Sequence, residues 1–426
     1  MPQRRRKPRR GRLGLALAGG GPVGAMYELG ALRALEEAID GLDLNDAWSY
    51  VGVSAGSFIA SCLANGITVR EMLDSVLQGD SGAFPLKPDL FFTPAYGEII
   101  RRGVKLPRLA LESLLMTGRY PRGRAIGEAL SLLSQALPVG VFNNEPIREY
   151  LHELFETGGR TDDFRKLKHS LVVVAADLDA ARPVRFGERG LDDVPISQAV
   201  QASTAVPGLY PPVRVKDHAC VDGVLLKTVH ASVALERGSE LVFCINPLVP
   251  VDVTAATRAG RVPPDVLVAL GMPAVLSQTF RTLIHSRLEV GLSRYASRYP
   301  DSDLILIEPG PDEYGMFFSN IFSFRSRVFI CERGYHTTRE LLLARYDELA
   351  PVIRSHGYEL RPEAIMDAGR DLWASAGLVR KQPLGRPQGP FDELDRALAH
   401  LERAAAADAR RGSTQKRLPA RRPRRA

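Results

Sequence analysis

The sequence predicts an α/β fold with a mainly parallel sheet covered by helices. Three observations carry this expectation. Short apolar runs of strand length recur at residues 13–18, 50–53, 171–176 and 241–245. Helix-like spacing follows the first two, giving the strand–helix–strand–helix order that a parallel sheet requires. Two glycine-bearing segments, Gly19–Gly24 and Gly52–Gly56, each end an apolar run and open a helix-like segment.

The elements follow in order. Leu13–Ala18 reads as a buried first strand: a secretion signal needs an apolar stretch of about 7–15 residues, and this run breaks into Gly19-Gly20-Gly21 after six. Residues 24–39 carry apolar positions at helical spacing, Met26, Leu29, Leu32 and Leu35. Tyr50–Val53 is a second strand and Ser57–Asn65 a second helix. Residues 70–165 read as a mostly helical insertion with Pro- and Gly-containing loops, placed to shape or cover a pocket. Leu171–Ala176 is a buried strand, Ile196–Ser203 a helix, Ala219–Val221 a short strand ending at Asp222, and Leu241–Ile245 a core strand. Beyond residue 260 the pattern becomes mostly helical to 380, with one strand at Asp303–Ile307. A linker (382–390), an amphipathic helix (391–409) and a basic tail complete the chain.

The 426 residues are 45% hydrophobic and 25% charged, an ordinary globular composition. The net charge of +7 is misleading. Residues 1–12 hold seven basic groups and residues 410–426 hold eight, with no acid in either, so residues 13–409 carry a net −8. Such tails read as solvated disorder, or as a means of attraction to an anionic membrane surface. Nucleic acid is the weaker alternative. The four cysteines form no CxxC pair and are too few for a disulfide framework. No window reaches the ~18 apolar residues of a membrane span. These features point to a cytoplasmic protein with peripheral membrane association.

Gly52-Val53-Ser54-Ala55-Gly56 places Ser54 on a strand-to-helix turn, the setting of an exposed nucleophile. The glycine segment offers backbone N–H groups at a helix N-terminus, where developing negative charge is stabilised. It also formally matches GxGxxG. A dinucleotide site would want an acid ending the next strand, whereas Asp43 and Asp46 lie before that strand. A serine needs a base. His218, His230, His285 and His336 follow Ser54 without a distinguishing setting. Asp222 ends a short strand before Gly223, where a carboxylate is presented at a sheet edge.

These segments resemble the patatin-like phospholipases. Gly19–Gly24 is similar to the glycine-rich oxyanion segment, Gly52–Gly56 to the nucleophile elbow, and Asp222-Gly223 to the start of the Asp-Gly-Gly/Ala motif. Ala202–Pro212 and Val141–Ile147 are similar to further stretches of the family. The resemblance covers roughly residues 13–246. It implies a three-layer α/β/α domain and a Ser54–Asp222 dyad acting on fatty acyl esters of phospholipids, with no metal or organic cofactor. The oxyanion donors would be the N–H groups of Gly20 and Gly21, with Ala55. Gly19, Gly24, Gly52, Gly56 and Gly223 would shape the motifs. Two positions depart from the family: Val23 stands where Lys or Arg is usual, and Val224 where Gly or Ala is usual. An acyltransferase using the same dyad, a histidine-based esterase and a non-catalytic lipid-binding protein are the alternatives. Headgroup, chain length and oligomeric state are not encoded in these motifs.

Overall fold

Apolar alternation at period two assigns each strand residue to one of two helix layers. Strand β1 (Leu13–Leu17) puts Leu15 and Leu17 into one core and Ala16, with the following Ala18, into another. Strand β2 (Ser49–Val53) sends Tyr50 to the first core and Val51 to the second. Strand β3 (Ser170–Asp177) splits Val173 and Ala175 from Val172 and Val174 in the same way. Both faces are buried, so these strands read as unbroken apolar runs. The computed structural model describes residues 10–78, 89–104, 137–311, 313–318, 324–367 and 369–380. Residues 1–9, the linker, the amphipathic helix and the C-terminal tail lie outside the described residues, as do 79–88 and 105–136 of the insertion.

Four more strands follow β3 in the chain: β4 (Arg182–Phe186), β5 (Val213–Val215), β6 (His218–Asp222) and β7 (Leu241–Ile245). With β8 (Asp303–Ile307) they complete an eight-stranded sheet of order β8-β7-β1-β2-β3-β6-β5, with β4 also paired to β3. The first five in that order are mutually parallel. Strands β4, β5 and β6 pair antiparallel, so the sheet is mixed and mostly parallel.

The registers explain how the site is built. Strand β2 pairs Ser49–Val53 with Ser170–Val174 of β3, and β4 covers Val173–Asp177 from the other side. Strand β6 pairs Asp222, Val221 and Cys220 with Ala175, Ala176 and Asp177. Since β4 already occupies the far edge there, β6 takes up the edge that β2 vacates, running the opposite way. The ends of β2 and β6 therefore meet head-on.

Helix α1 (Gly21–Ala38), helix α2 (Ala55–Ala64) and helix α3 (Ile196–Ser203) cover one face of the sheet. The other face carries α4 (Ala231–Glu236), through Val233 and Ala234, and α5 (Met272–Arg298), through Leu288. This is the three-layer α/β/α arrangement. The region after 260 does not sit apart: β8 extends the main sheet, and α6 (Phe324–Ala344) packs along α1. That second contact buries Tyr27, Ala31 and Ala34 as well as the sheet-facing apolar positions. The crossing is close because Gly30 meets the Cys331 carbonyl and Gly334 meets the Tyr27 backbone, with no side chain between.

Helix α1 also buries Glu28 completely, with neither carboxyl oxygen hydrogen-bonded. Burial pushes its pKa well above the ordinary carboxylate range, opposed by the Ala18 backbone. A carboxyl whose folded pKa is raised contributes its full stability below the unfolded value, about 4.3, and loses it as pH rises through the folded pKa. Glu28→Gln is therefore expected to gain melting temperature relative to the native chain between pH 5 and pH 8, measured by scanning calorimetry. A difference that stays constant with pH would show that Glu28 does not titrate in this way.

Candidate active site

Ser54 sits at φ 53°, ψ −127°, between the end of β2 and the start of α2. A non-glycine residue there costs about 1–3 kcal/mol and persists only if its surroundings fix it. They do. Its N–H donates to Ser203 Oγ at 2.8 Å, and the Ser203 hydroxyl donates to the Val174 carbonyl at 2.6 Å. The Ser54 carbonyl accepts from Ser57 Oγ at 2.6 Å. The flanking glycines permit the tight turn. A Cβ on Gly56 would lie 2.5 Å from the Ala18 carbonyl oxygen, whereas its N–H donates to that oxygen at 3.0 Å. Gly52 packs directly on the Ser57 backbone.

Asp222 ends β6 and is 1% exposed. Its Oδ1 accepts from the Val224 N–H at 2.9 Å, while Oδ2 is buried with no hydrogen bond of ordinary geometry. Burial raises its pKa to about 7, opposed by the Ser54 hydroxyl and the Val224 N–H. The Ser54 hydroxyl is thus close enough to act on the carboxyl, although no standard hydrogen bond joins them. Loose contacts of this kind are common in ligand-free sites. Gly223 fits between Val53 and Val174, 2.5 Å from the Val174 carbonyl oxygen at its missing Cβ position.

The glycine segment closes over the same point. A Cβ on Gly19 would fall 3.0 Å from Ser54 Cβ and 3.1 Å from Val224 Cγ2. Gly21, at φ +58°, opens α1, and Gly20 and Gly24 pack against Pro247. The first N–H groups of a helix have no intrahelical acceptor. Those of Gly21 and Ala55 therefore begin two helices whose positive ends converge near Ser54. Of the departing residues, Val224 still supplies its N–H to Asp222, and Val23 is half-buried against the main core.

A pocket of about 140 Å³ opens beside Ser54. Its walls are almost wholly apolar, among them Met26, Phe58, Phe91, Phe92, Ile147 and Leu209. Phe91, Phe92 and Ile147 come from the 70–165 stretch. Phe58 stacks on Tyr150 with ring centroids 6.2 Å apart, and Ala25, Met26 and Phe58 also line a smaller neighbouring void. The two further stretches noted in the sequence meet here. The Phe142 N–H donates to the Leu209 carbonyl at 2.8 Å, and Asn144 Nδ2 donates to the Gln201 carbonyl at 2.8 Å.

Among the described residues no histidine is hydrogen-bonded to Ser54 or Asp222, and His336 lies edge-on to Tyr335 on α6. His230 is buried beside the Gly223 backbone and held neutral, its pKa pushed down to about 3, chiefly by burial. His218 pairs with Asp177 at 2.7 Å and His285 with Glu289 at 3.8 Å. Asp46 binds Lys168 and His169, away from the glycine segment. Cys62, Cys220, Cys244 and Cys331 are free and buried.

The sequence, compared with known families, matches the model described as patatin-like phospholipase over residues 15–235. The chain belongs to the patatin-like phospholipase family. No curated protein matched it. Solved structures similar to this patatin-like chain include VipD from Legionella pneumophila, at 18% identity and TM-score 0.34 over 79% of this chain and 67% of that one. The type III effector protein ExoU of Pseudomonas aeruginosa is similar at 15% identity and TM-score 0.32, over 82% and 60%. Human GIVD cytosolic phospholipase A2, in complex with methyl gamma-linolenyl fluorophosphonate, is similar at 13% identity and TM-score 0.28, over 81% and 59%. This chain therefore spans roughly three fifths to two thirds of the length of these proteins. Among the described residues no helix is long and apolar enough to cross a membrane.

Sequence reasoning assigned no part to Ser203, although it lies inside the Ala202–Pro212 stretch already noted. Its hydroxyl ties the strained Ser54 backbone to β3. Ser203→Ala would leave the buried Ser54 N–H without this acceptor, at roughly 1–3 kcal/mol. It is expected to lower turnover several-fold more than KM, with Ser203→Thr restoring part of the loss. Equal and small effects from both variants would confine Ser203 to a packing role.

Proposed function

We propose that this patatin-like chain is a lipid acyl hydrolase working through Ser54 and Asp222. The observation that carries the reading is the strained Ser54, held beside a buried carboxyl of pKa about 7 at the mouth of an apolar pocket. Ser54 Oγ attacks the ester carbonyl carbon while Asp222 Oδ2, which has no other partner, takes the hydroxyl proton. The oxyanion of the tetrahedral intermediate is stabilised by the N–H groups of Gly20, Gly21 and Ala55. One such donor is worth roughly 10²–10³ in turnover in comparable sites. The intermediate collapses to an acyl-serine, and the leaving alcohol takes the proton back from Asp222. Water then attacks the acyl-serine and gives a proton to Asp222, which passes it to the departing Ser54 Oγ as the fatty acid is freed.

A carboxyl near pKa 7 suits both halves of this cycle, since it can accept and return a proton at neutral pH. The apolar pocket receives the acyl chain, and the phospholipase family membership makes glycerophospholipids the natural substrate class. The basic tails favour an anionic lipid surface. Residues 13–250 then form the catalytic unit, with the region from 260 to 380 completing its sheet and core.

Two measurements test the reading. Intact-mass analysis after treatment with an alkyl fluorophosphonate is expected to show one adduct, located on Ser54. Phospholipid vesicles incubated with the chain are expected to release free fatty acid. A folded chain that gives neither adduct nor fatty acid would favour the non-catalytic alternative. Acyl transfer to an added lysolipid in preference to water would favour a transferase.

A further inference from the structure

A second concave site lies on the opposite side of the sheet from the apolar pocket. One wall is Leu226–Val229, which continues the turn after Asp222; the other is the last turns of α5, from Arg287 to Arg298. Val229 and Leu288 belong to the core on the α4 and α5 face, whereas Met26 and Ile147 of the first pocket belong to the α1 and α2 face. The cleft encloses about 630 Å³.

Its chemistry is one-sided. Lys227, Arg287, Arg294 and Arg298 line it, and none of the lining residues is acidic. Arg287, Arg294 and Arg298 follow one another at spacings of seven and four, which keeps them on one helix face. The helix's one acid, Glu289, faces His285 instead, at 3.8 Å. Arg287 Nη1 donates to the Leu225 carbonyl at 3.3 Å, which leaves other guanidinium donors for a ligand. Arg298 lies over the Tyr299 ring, 5.4 Å from its centroid. Thr228, also in the lining, is 2% exposed, and its hydroxyl has no hydrogen-bond partner.

Buried hydroxyls are almost always satisfied, and like charges gathered around a concavity draw in counter-ions. Guanidinium forks pair bidentately with phosphate and carboxylate oxygens alike, and the cluster of four cations around one concavity suits the multiply charged phosphate better. We propose that this cleft binds a phosphate-bearing anion, with the three arginines and Lys227 neutralising its charge and Thr228 donating from the wall. The ligand is either the headgroup of an anionic lipid or a soluble phosphorylated compound. Nothing in the proposal depends on Ser54 or Asp222 being catalytic.

Calorimetric titration of the full chain with inorganic pyrophosphate reads the site directly. Binding at one site is expected. The double variant Arg294→Glu, Arg298→Glu changes two exposed side chains, and circular dichroism checks its folding. It should weaken affinity at least tenfold. Thr228→Val preserves shape while removing the hydroxyl, and should weaken affinity several-fold. The source of the phosphate follows from flotation with phosphatidylcholine vesicles, with and without phosphatidylglycerol. Selective binding to the anionic vesicles, competed by pyrophosphate and lost in the double variant, identifies a lipid headgroup. Pyrophosphate binding together with vesicle binding that the double variant leaves unchanged identifies a soluble ligand. Both basic tails are present in every variant and cancel from the comparison. The proposal is overturned if pyrophosphate does not bind, or if it binds the double variant as well as the native chain. Normal affinity in Thr228→Val would overturn it too, leaving only diffuse charge attraction.

Discussion

Asp222→Asn is expected to slow fatty acid release by about 10²–10⁴-fold, the usual contribution of a positioned general base, and Ser54→Ala to abolish it. The pH dependence separates a base from a structural aspartate. Asp222 must be ionised to accept the Ser54 proton, and burial holds its pKa at about 7. Native kcat/KM should therefore rise with pH through about 7 and level off above it. The residual activity of Asp222→Asn should show no such step. The same ionisation has a thermodynamic counterpart. Because the folded pKa is raised from about 3.8 to about 7, the stability this carboxyl contributes at low pH is lost as pH climbs from about 4 through 7, with no further loss above that. Asp222→Asn should thus be far slower yet more stable than the native chain at pH 8. A variant that is both inactive and destabilised at every pH would instead mark Asp222 as a structural residue of the turn.

Gly334→Ala should destabilise the whole patatin-like unit although it lies far from Ser54 in sequence. A Cβ at this position would enter the Tyr27 backbone, and one on Gly30 would enter the Cys331 carbonyl. Backbone cannot move aside as a flexible side chain can. The penalty should reach or exceed the roughly 1–3 kcal/mol of ordinary overpacking. Chemical denaturation distinguishes two pictures of the region beyond residue 260. If it shares one core with the sheet, Gly334→Ala shifts a single cooperative transition to lower denaturant. A separate C-terminal domain would give two transitions, with only one displaced and the Ser54 site unaffected.

The difference between what the sequence reveals and what it hides follows from the range of the interactions. Strands β1, β2, β3 and β7 were legible because burial on both faces leaves an unbroken apolar run. The elbow and the glycine segment were legible because a strained turn and a backbone approach each demand particular residues at fixed local spacing. Strands β4 and β5 left no such signature. Arg182 and Pro183 of β4 are exposed, and β5 is three residues long. Ser203 was hidden because its partners, Ser54 and Val174, are supplied by other segments. The apolar positions of α1 announced a helix with one buried face. That a second face would be covered by α6 depends on glycines three hundred residues apart in the chain, and periodicity is silent about such pairs. The basic cleft was hidden for the same reason: Lys227 looks ordinary until α5 is laid across it.

The head-on meeting of β2 and β6 along one edge of β3 has a consequence for tolerance to change. The interval between Ser54 and Asp222, the proposed nucleophile and base, is measured by consecutive rungs of a hydrogen-bond ladder, Val174 opposite Val53 and Ala175 opposite Asp222. The length of chain that joins them plays no part in it. The chain between α2 and β3 can lengthen, shorten or be exchanged without altering that interval, and so can the chain between β4 and β6 outside the helix whose Ser203 holds the Ser54 backbone. A single-residue deletion inside β3 would put the two groups out of step. The fold thus separates the spacing of the proposed pair from loop-borne residues of the apolar pocket such as Phe91, Phe92 and Ile147, so these can change while that spacing stays fixed.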